Sequence, residues 1–470
     1  MPKTARILAF LLTLTFGAVA APEPPQGVTT LLGSPTDRSV TLSVLSAATV
    51  EACVSFGDRS GAETGRTEVL LLQGGTPANV VLTALPTGAR TWYRVLTRAP
   101  GTADWRPEEE RSFMTQRPAG AAFTFDIQGD SHPEHLRTLF DPALYRRTLS
   151  HVAQEQPDFH VLMGDDFSLD GLAHDPPITA QRVMDIYLRQ RQFLAEVGSR
   201  SPIFLVNGNH EQLARYLLDG TATNPAALAL RARLATFPLP APDGFYTGNS
   251  EKDPDLGLLH DTFAWTWGDA LFVFIDPYWH SDIPVDNALG VRGTQEGRNL
   301  WQVTLGDAQY RWLRDTLKGS QARWKFVFCH HVLGTGRGGI EVADRYEWGG
   351  RDPRGRSTFK KERPGWDQPI HDLMASTGVD IFFQGHDHIF ARQERDGVIY
   401  QTVPMPADPN YAAHNRDAFR SGDILPGSGH LRVDVDSDHV QVRYIRSVLP
   451  RDTDTQGPDG AVAFSYEIKP

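Results

Sequence analysis

The chain has 470 residues, enough for a large core and more than one domain. Its 40% hydrophobic and 22% charged content is that of a folded globular protein and excludes a disordered one. A formal net charge of -11 excludes a general nucleic-acid grip, which needs a basic footprint, but not an anionic substrate held through bound cations.

Residues 1–20 read as a secretory signal. Lys3 and Arg6 supply the positive start, residues 7–16 the apolar stretch, and Ala18-Val19-Ala20 the small-residue cleavage pattern. The other reading, an uncleaved anchor, would need a longer apolar run. No later segment is long and apolar enough to span a bilayer, so a secreted, periplasmic or cell-envelope protein is expected. Cys53 and Cys329 fall in different expected domains, and no disulfide is expected between them. Cys329 reads as a small buried strand residue and not as a nucleophile.

After Pro22, Pro24 and Pro25, short runs rich in Val, Thr, Leu and aromatics occupy 39–45, 50–56, 68–72, 79–85 and 92–97. Gly, Pro and Asp turns separate them, which predicts a small all-β sandwich over residues 22–117. The Leu85-Pro86 turn followed by Trp92-Tyr93-Arg94-Val95 resembles the penultimate strand of fibronectin type III modules.

Residues 118–120 read as a linker, and strands then alternate with helices, which predicts α/β. Strands are predicted at 123–127, 159–163, 203–206, 324–328 and 379–383. Asp141-Pro142 opens a predicted helix that Pro157 closes, and a second runs over 179–197 and ends at Gly198. Asp307 is predicted to cap a third, with Tyr310, Leu313 and Leu317 on one face and Gly319 just beyond. Residues 430–448 return to period two and predict antiparallel strands, followed by a tail over 451–470.

Five of these strands end in a polar motif: Asp130-Ser131-His132, Gly164-Asp165-Asp166, Gly208-Asn209-His210-Glu211, Cys329-His330-His331 and Gly385-His386-Asp387-His388. Ligands gather at the carboxyl ends of strands in an open α/β sheet, so one assembled site is expected. Asp130, His132, Asp165, Asn209, His330, His386 and His388 offer oxygen and nitrogen donors suited to Fe, Mn or Zn, with no thiolate. Seven ligands exceed the needs of one ion, and one shared carboxylate would give two sites.

The ordered set Asp-x-His, Gly-Asp, Gly-Asn-His-Glu, His and Gly-His-x-His resembles the calcineurin-like metallophosphoesterase superfamily. A β-sandwich in front resembles its purple acid phosphatase-like branch. The resemblance covers residues 120–450 and implies a four-layer α/β/β/α sandwich behind the all-β domain, an α+β or α/β fold. It implies two divalent or trivalent metal ions (Fe, Mn or Zn). Asp130, His132 and His388 would hold the first, Asn209, His330 and His386 the second, and Asp165 would bridge. The implied reaction is phosphate-ester hydrolysis by a hydroxide held between the metals. His210 would contact the phosphate as general acid or charge stabiliser, with Glu211 orienting it. His330 and His331 point to opposite faces of one strand; the resemblance favours His330 as ligand and leaves His331 to line the pocket.

Ser168 stands three residues after Asp165, where purple enzymes place a tyrosine and phosphoprotein phosphatases an aspartate paired with the third-motif histidine. Neither a tyrosinate–iron centre nor that pairing is expected from Ser168. Asp166, Asp276 and Asp282 read as structural. The Gly- and Arg-rich stretch 334–367 reads as a substrate-shaping lid with Glu341, Tyr346 and Trp348. Within it Arg337, Arg351, Arg354 and Arg356 are candidates to grip phosphate oxygens. The expected partner is a small phosphate mono- or diester, for an acid phosphatase-like enzyme or a phosphodiesterase. A non-catalytic, metal-containing envelope binding protein is the reading from another class, and the His210-Glu211 pair speaks against it. The all-β domain is expected to be dispensable for the chemistry.

Overall fold

The computed structural model describes residues 27–173, 177–211, 221–281, 283, 285, 299–333 and 336–470. The expected signal at 1–20, Pro22, Pro24, Pro25, Asp282 and Gly334 lie outside the described residues. Among the described residues no helix is long and apolar enough to cross a membrane.

The N-terminal region is all β. Val28–Gly33, Val40–Ser46 and Ala78–Leu82 form one antiparallel sheet, and Val50–Gly57 pairs with Arg90–Arg98 at the centre of a second. Along Arg90–Arg98 every second side chain is buried, the mark of a strand with one face in a core. Leu32, Leu42, Val54, Tyr93, Val95 and Phe113 fill the space between the sheets. Val28–Gly33 adds a strand to those read from the sequence.

The remainder runs through β1 (Phe123–Gln128), α1 (Pro142–Glu155), β2 (Phe159–Leu162), α2 (Ala180–Gly198), β3 (Ile203–Leu205) and α3 (Pro225–Thr236). It continues with β4 (Phe263–Trp267), β5 (Ala270–Phe274), α4 (Asp307–Gly319), β6 (Trp324–Phe328), α5 (Ile370–Ser376) and β7 (Ile381–Gln384). The chain then runs through β8 (Phe390–Arg395), β9 (Val398–Thr402), β10 (Gly429–Val435), β11 (Val440–Arg446) and β12 (Val462–Ile468), with a short strand at Asp423–Leu425 on the edge beside β8. One sheet has the order β3-β2-β1-β10-β11-β12, and the other contains β4-β5-β6-β7-β9-β8. β12 lies in the segment read as a tail, yet it completes the first sheet by antiparallel pairing with β11.

The sheets pack face to face. Phe125, Phe159 and Phe204 from the first meet Phe272, Phe326, Phe328 and Phe383 from the second, with the Phe125 and Phe272 rings edge to face at 5.2 Å. Leu149, Val152, Tyr187, Leu194 and Val197 cover the first sheet from α1 and α2, and Leu313, Leu317, Ile370 and Leu373 cover the second from α4 and α5. Two helical layers therefore enclose two sheets, the expected α/β/β/α order.

Local signals explain the helix starts. The Asp141 carboxylate accepts the N–H groups of Ala143 at 2.8 Å and Leu144 at 3.2 Å, with Pro142 in the first turn. Thr179 caps α2 through the N–H of Arg182. At α4 the expectation needs correction: Gly306 is the cap and Asp307 is the first helical residue, its carboxylate accepting the Trp366 Nε1–H at 2.7 Å.

Part of the segment read as a lid is core. Tyr346 and Trp348 are buried against the second sheet, and Trp348 Nε1–H donates to the Tyr400 hydroxyl at 2.8 Å. Large aromatic surface leaves water wherever a sheet face is open to receive it. Arg351 and Arg356 are exposed and bond within their own loop, donating to the Gly355 carbonyl at 2.9 Å and the Asp352 carboxylate at 2.6 Å.

The all-β region is docked tightly. Arg191, a buried residue of α2, donates to Ser43 Oγ at 2.8 Å, the Ser43 carbonyl at 2.6 Å, the Thr29 carbonyl at 3.2 Å and the Thr236 carbonyl at 2.9 Å. Leu31 enters the core beneath α2 and α3, and Tyr93 Oη–H donates to the Ser199 carbonyl at 2.7 Å.

Candidate metal centre

β1, β2 and β3 are parallel neighbours, as are β5, β6 and β7, so the loops after β1, β2, β3, β6 and β7 emerge at strand carboxyl ends. All five motifs follow those ends. The backbone there is unusual: Asp130 (φ 59°), His132 (47°), Asp165 (57°), His386 (68°) and His388 (59°) are left-handed. Non-glycine residues in that region carry strain that the surroundings must hold, a pattern concentrated at functional sites. Two motif glycines are required by close approach. A Cβ at Gly208 would stand 2.2 Å from Asp165 Oδ1, and one at Gly385 would stand 2.5 Å from Asp130 Oδ2.

Asp130, His132 and His388 converge as one buried triad. His132 Nε2 lies 2.9 Å from His388 Nε2, and Asp130 Oδ1 lies 3.6 Å from His388 Nε2 and 3.9 Å from His132 Nε2. Both Asp130 oxygens accept the His386 N–H at 2.9 Å. His132 Nδ1 meets the Glu134 carboxylate at 2.9 Å, which fixes the proton on Nδ1 and turns the Nε2 lone pair into the triad.

Asp165, His330 and His386 form the second triad. His330 Nδ1–H donates to the Met163 carbonyl at 2.7 Å and sends Nε2 to Asp165 Oδ2 at 3.0 Å. Asp165 Oδ2 is also 3.8 Å from His132 Nε2 of the first triad, so this carboxylate stands between the two. Asp165 Oδ2, Asn209 Oδ1, His330 Nε2 and both His386 ring nitrogens are buried without a hydrogen-bond partner. Convergent unpaired donors of this kind cost stability unless something binds them, and hard-to-borderline cations are what oxygen and imidazole donors hold. The residues fit a pair of cations.

Burial would raise the Asp165 carboxyl, but His330, His210 and His132 hold it well below the usual carboxylate range. Burial drives His386 and His388 well below the ordinary imidazole value, leaving both neutral as ligation requires. Burial lowers His330, but Asp165 and Asp130 outweigh it and push the imidazole up to about 9.

His210 lies beside both triads, its Nε2 3.9 Å from Asp165 Oδ2 and its ring 4.9 Å from that of His132. Its backbone N–H donates to Asp165 Oδ1 at 2.9 Å. Glu211, expected to orient it, is turned elsewhere. The Glu211 carboxylate accepts backbone N–H groups from Asp165 (3.0 Å), Asp166 (2.8 Å), Phe167 (3.0 Å) and Gly208 (2.8 Å). The partner of His210 is Asp170, whose Oδ2 meets Nδ1 at 2.7 Å. Sequence reasoning missed Asp170 by looking for a carboxylate only at position 168. Burial lowers His210, yet Asp165 and Asp170 raise it to about 10.

The two weaker candidates take different places. His331 is buried behind the second triad, its ring 4.8 Å from that of His386, and burial lowers it to about 3. Arg337 donates to the His386 carbonyl and lies 3.9 Å from Asp387, so it braces the fifth motif. Cys329 is buried with its thiol pushed up to about 12 by burial, and Asp276 accepts from Asn207 Nδ2 at 2.9 Å and the Tyr278 N–H at 2.7 Å, both structural as expected. Cys53 and Cys329 are free.

A family model described as calcineurin-like phosphoesterase matches residues 123–390. Among solved structures, that of PhoD is similar with a TM-score of 0.65 at 15% identity, covering 94% of this chain and 90% of the other. A purple acid phosphatase from yellow lupin (Lupinus luteus) seeds is similar with a TM-score of 0.60 at 15% identity, covering 94% of this chain and 74% of the other. At that identity the likeness speaks for the fold. No curated protein matches the sequence.

Proposed function

This chain belongs to the calcineurin-like phosphoesterases and is a phosphoric ester hydrolase, and we propose that it is exported and works through a dinuclear metal centre on small phosphate esters. The observation that carries the proposal is the position of Asp165 between two buried triads, with Asp165 Oδ2, Asn209 Oδ1, His330 Nε2 and both His386 ring nitrogens buried without a hydrogen-bond partner. In this reading Asp130, His132 and His388 hold one cation, Asn209, His330 and His386 the other, and Asp165 bridges. The all-β region before it is read as a fibronectin III-like module.

When bound, the cation pair supplies Lewis-acid stabilisation of the attacking and leaving oxygens of an in-line displacement at phosphorus. His210 does the proton work. Asp170 fixes its Nδ1–H, so Nε2–H faces the triads and donates to a phosphoryl oxygen as negative charge builds there. Water adds to phosphorus as the ester P–O bond breaks, the departing alkoxide takes a proton from His210 or water, and the proton that the added water gives up returns to that donor, releasing alcohol and phosphate. Glu211 contributes by tying the second and third motif loops together through four backbone N–H groups.

Elemental analysis of the purified chain, combined with turnover of a panel of phosphate mono- and diesters, tests the proposal. At least two cations per chain with hydrolysis of at least one ester class are expected. A cation-loaded chain inert towards the whole panel would reject catalysis, and a chain that binds none would reject the centre.

A further inference from the structure

A second group of unpaired ligand atoms lies on the opposite face of the first sheet, under α1. Side chains alternate along β1: Phe123, Phe125 and Ile127 enter the core between the sheets, which sends Asp126 to the helix side. Register pairs Asp126 with His160 on β2 and with Arg432 on β10, two residues after His430, so the two histidines share that face. Glu155, the last residue of α1, reaches down to them.

Asp126, His160 and His430 are wholly buried. Both Asp126 oxygens, both His160 nitrogens and His430 Nδ1 have no hydrogen-bond partner. Ligand atoms of Asp126, Glu155 and His430 lie within 4.8 Å of one another. Glu155 Oε2 is 3.3 Å from His430 Nε2 and accepts from Arg432 Nη1 at 3.2 Å. A cavity of about 320 Å³, lined by Arg90, Arg117, Thr124, Arg432 and Asp434 among others, reaches Glu155 from outside, while Asp126, His160 and His430 lie beyond its lining. The α1 carboxyl end favours positive charge there through its unpaired carbonyls.

We propose that Asp126, Glu155 and His430, with His160 beside them, form a divalent-cation site separate from the strand-end centre. Two carboxylates and one or two imidazoles are the donor set of zinc, and zinc is the ion this site takes. Held there, it pins the last turn of α1 to β1, four residues upstream of Asp130. Burial also pushes the Asp126 carboxyl well up, so a proton is the competing occupant. A proton discharges Asp126 but leaves the histidine nitrogens unpaired.

The test is zinc loading of the full chain. After gel filtration, Asp126→Asn and His430→Gln are each expected to lower bound zinc by about one equivalent per chain and to remove that share of the zinc-dependent rise in Tm. The same loss is expected in a background carrying Asp165→Asn, His386→Ala and His388→Ala, where the strand-end centre is dismantled; this separates failure of the proposal from failure of the hydrolytic reading. Equal zinc content with and without Asp126→Asn and His430→Gln overturns the proposal. So does a Tm that Asp126→Asn changes with pH but not with zinc, which would assign the site to a proton.

Discussion

Asp170 Oδ2 stands 2.7 Å from His210 Nδ1, and this bond aims the other ring nitrogen at the two triads. Asp170 is thus a positioning residue, and its removal has a signature that a packing defect lacks. Asp165 and Asp170 hold the imidazole up against burial, so the acid form persists below its raised pKa and is lost as pH rises through it. Asp170→Asn lowers that pKa and moves the alkaline limb of kcat to lower pH, with kcat falling about 10–100-fold. An unmoved profile would take Asp170 out of this role. His210→Ala should retain both cations and lose about 10²–10⁴ in kcat.

Asp165→Asn should remove metal and turnover together, because the same carboxylate faces His330 at 3.0 Å and His132 at 3.8 Å. Metal content and kcat are measured on one preparation. Near-normal turnover in the variant would reject the bridge.

Metal loading should release a proton, and His330 is its source. Asp165 and Asp130 raise its folded-state pKa to about 9, so at pH 7 Nε2, 3.0 Å from Asp165 Oδ2, carries a proton that a cation must displace. His386 and His388, held low by burial, have none to give. Calorimetric titration in buffers of different ionisation enthalpy should show release of about one proton at pH 7, declining as pH rises through about 9. A release that stays flat across that range would mean that His330 is already neutral.

The strand-end motifs were legible because Gly, Asp and His interrupt apolar runs such as those ending at Phe328 and Phe383, a contrast that survives without any tertiary knowledge. The four layers followed from the alternation of such runs with capped helices. Asp170 was not legible. It begins a four-residue helix, Asp170–Ala173, too short to show any periodicity. Glu211 was legible as a functional glutamate, but its four backbone partners come from a loop more than forty residues earlier in part. Asp126, His160 and His430 sit on three strands far apart in sequence, and only sheet register brings them together. Tyr346 and Trp348 were misread as lid because Gly and Arg around them outweighed two aromatics that the second sheet absorbs.

The all-β region, expected to be dispensable for the chemistry, is packed as part of the folded unit. Arg191→Ala leaves the carbonyls of Ser43, Thr29 and Thr236 without their donor. Each unpaired buried acceptor costs about 1–3 kcal/mol, so a loss of at least about 3 kcal/mol in urea unfolding is expected, with KM unchanged under native conditions. A loss below about 1 kcal/mol would mean that water replaces the guanidinium. Deletion of residues 27–117 would strip the same partners and the Leu31 contact, and should leave a less stable fragment.

Glu211 splints the second motif to the third: one carboxylate gathers the amides of Asp165, Asp166, Phe167 and Gly208. Two ligand-bearing loops are therefore immobilised by the polypeptide itself before any ion arrives. Chelation should then be a reversible extraction and not an unfolding event, with reloading limited by diffusion and desolvation of the ion and not by reassembly of the cradle. Glu211→Ala, by releasing those four amides, should make reloading after chelation slow and refolding-limited.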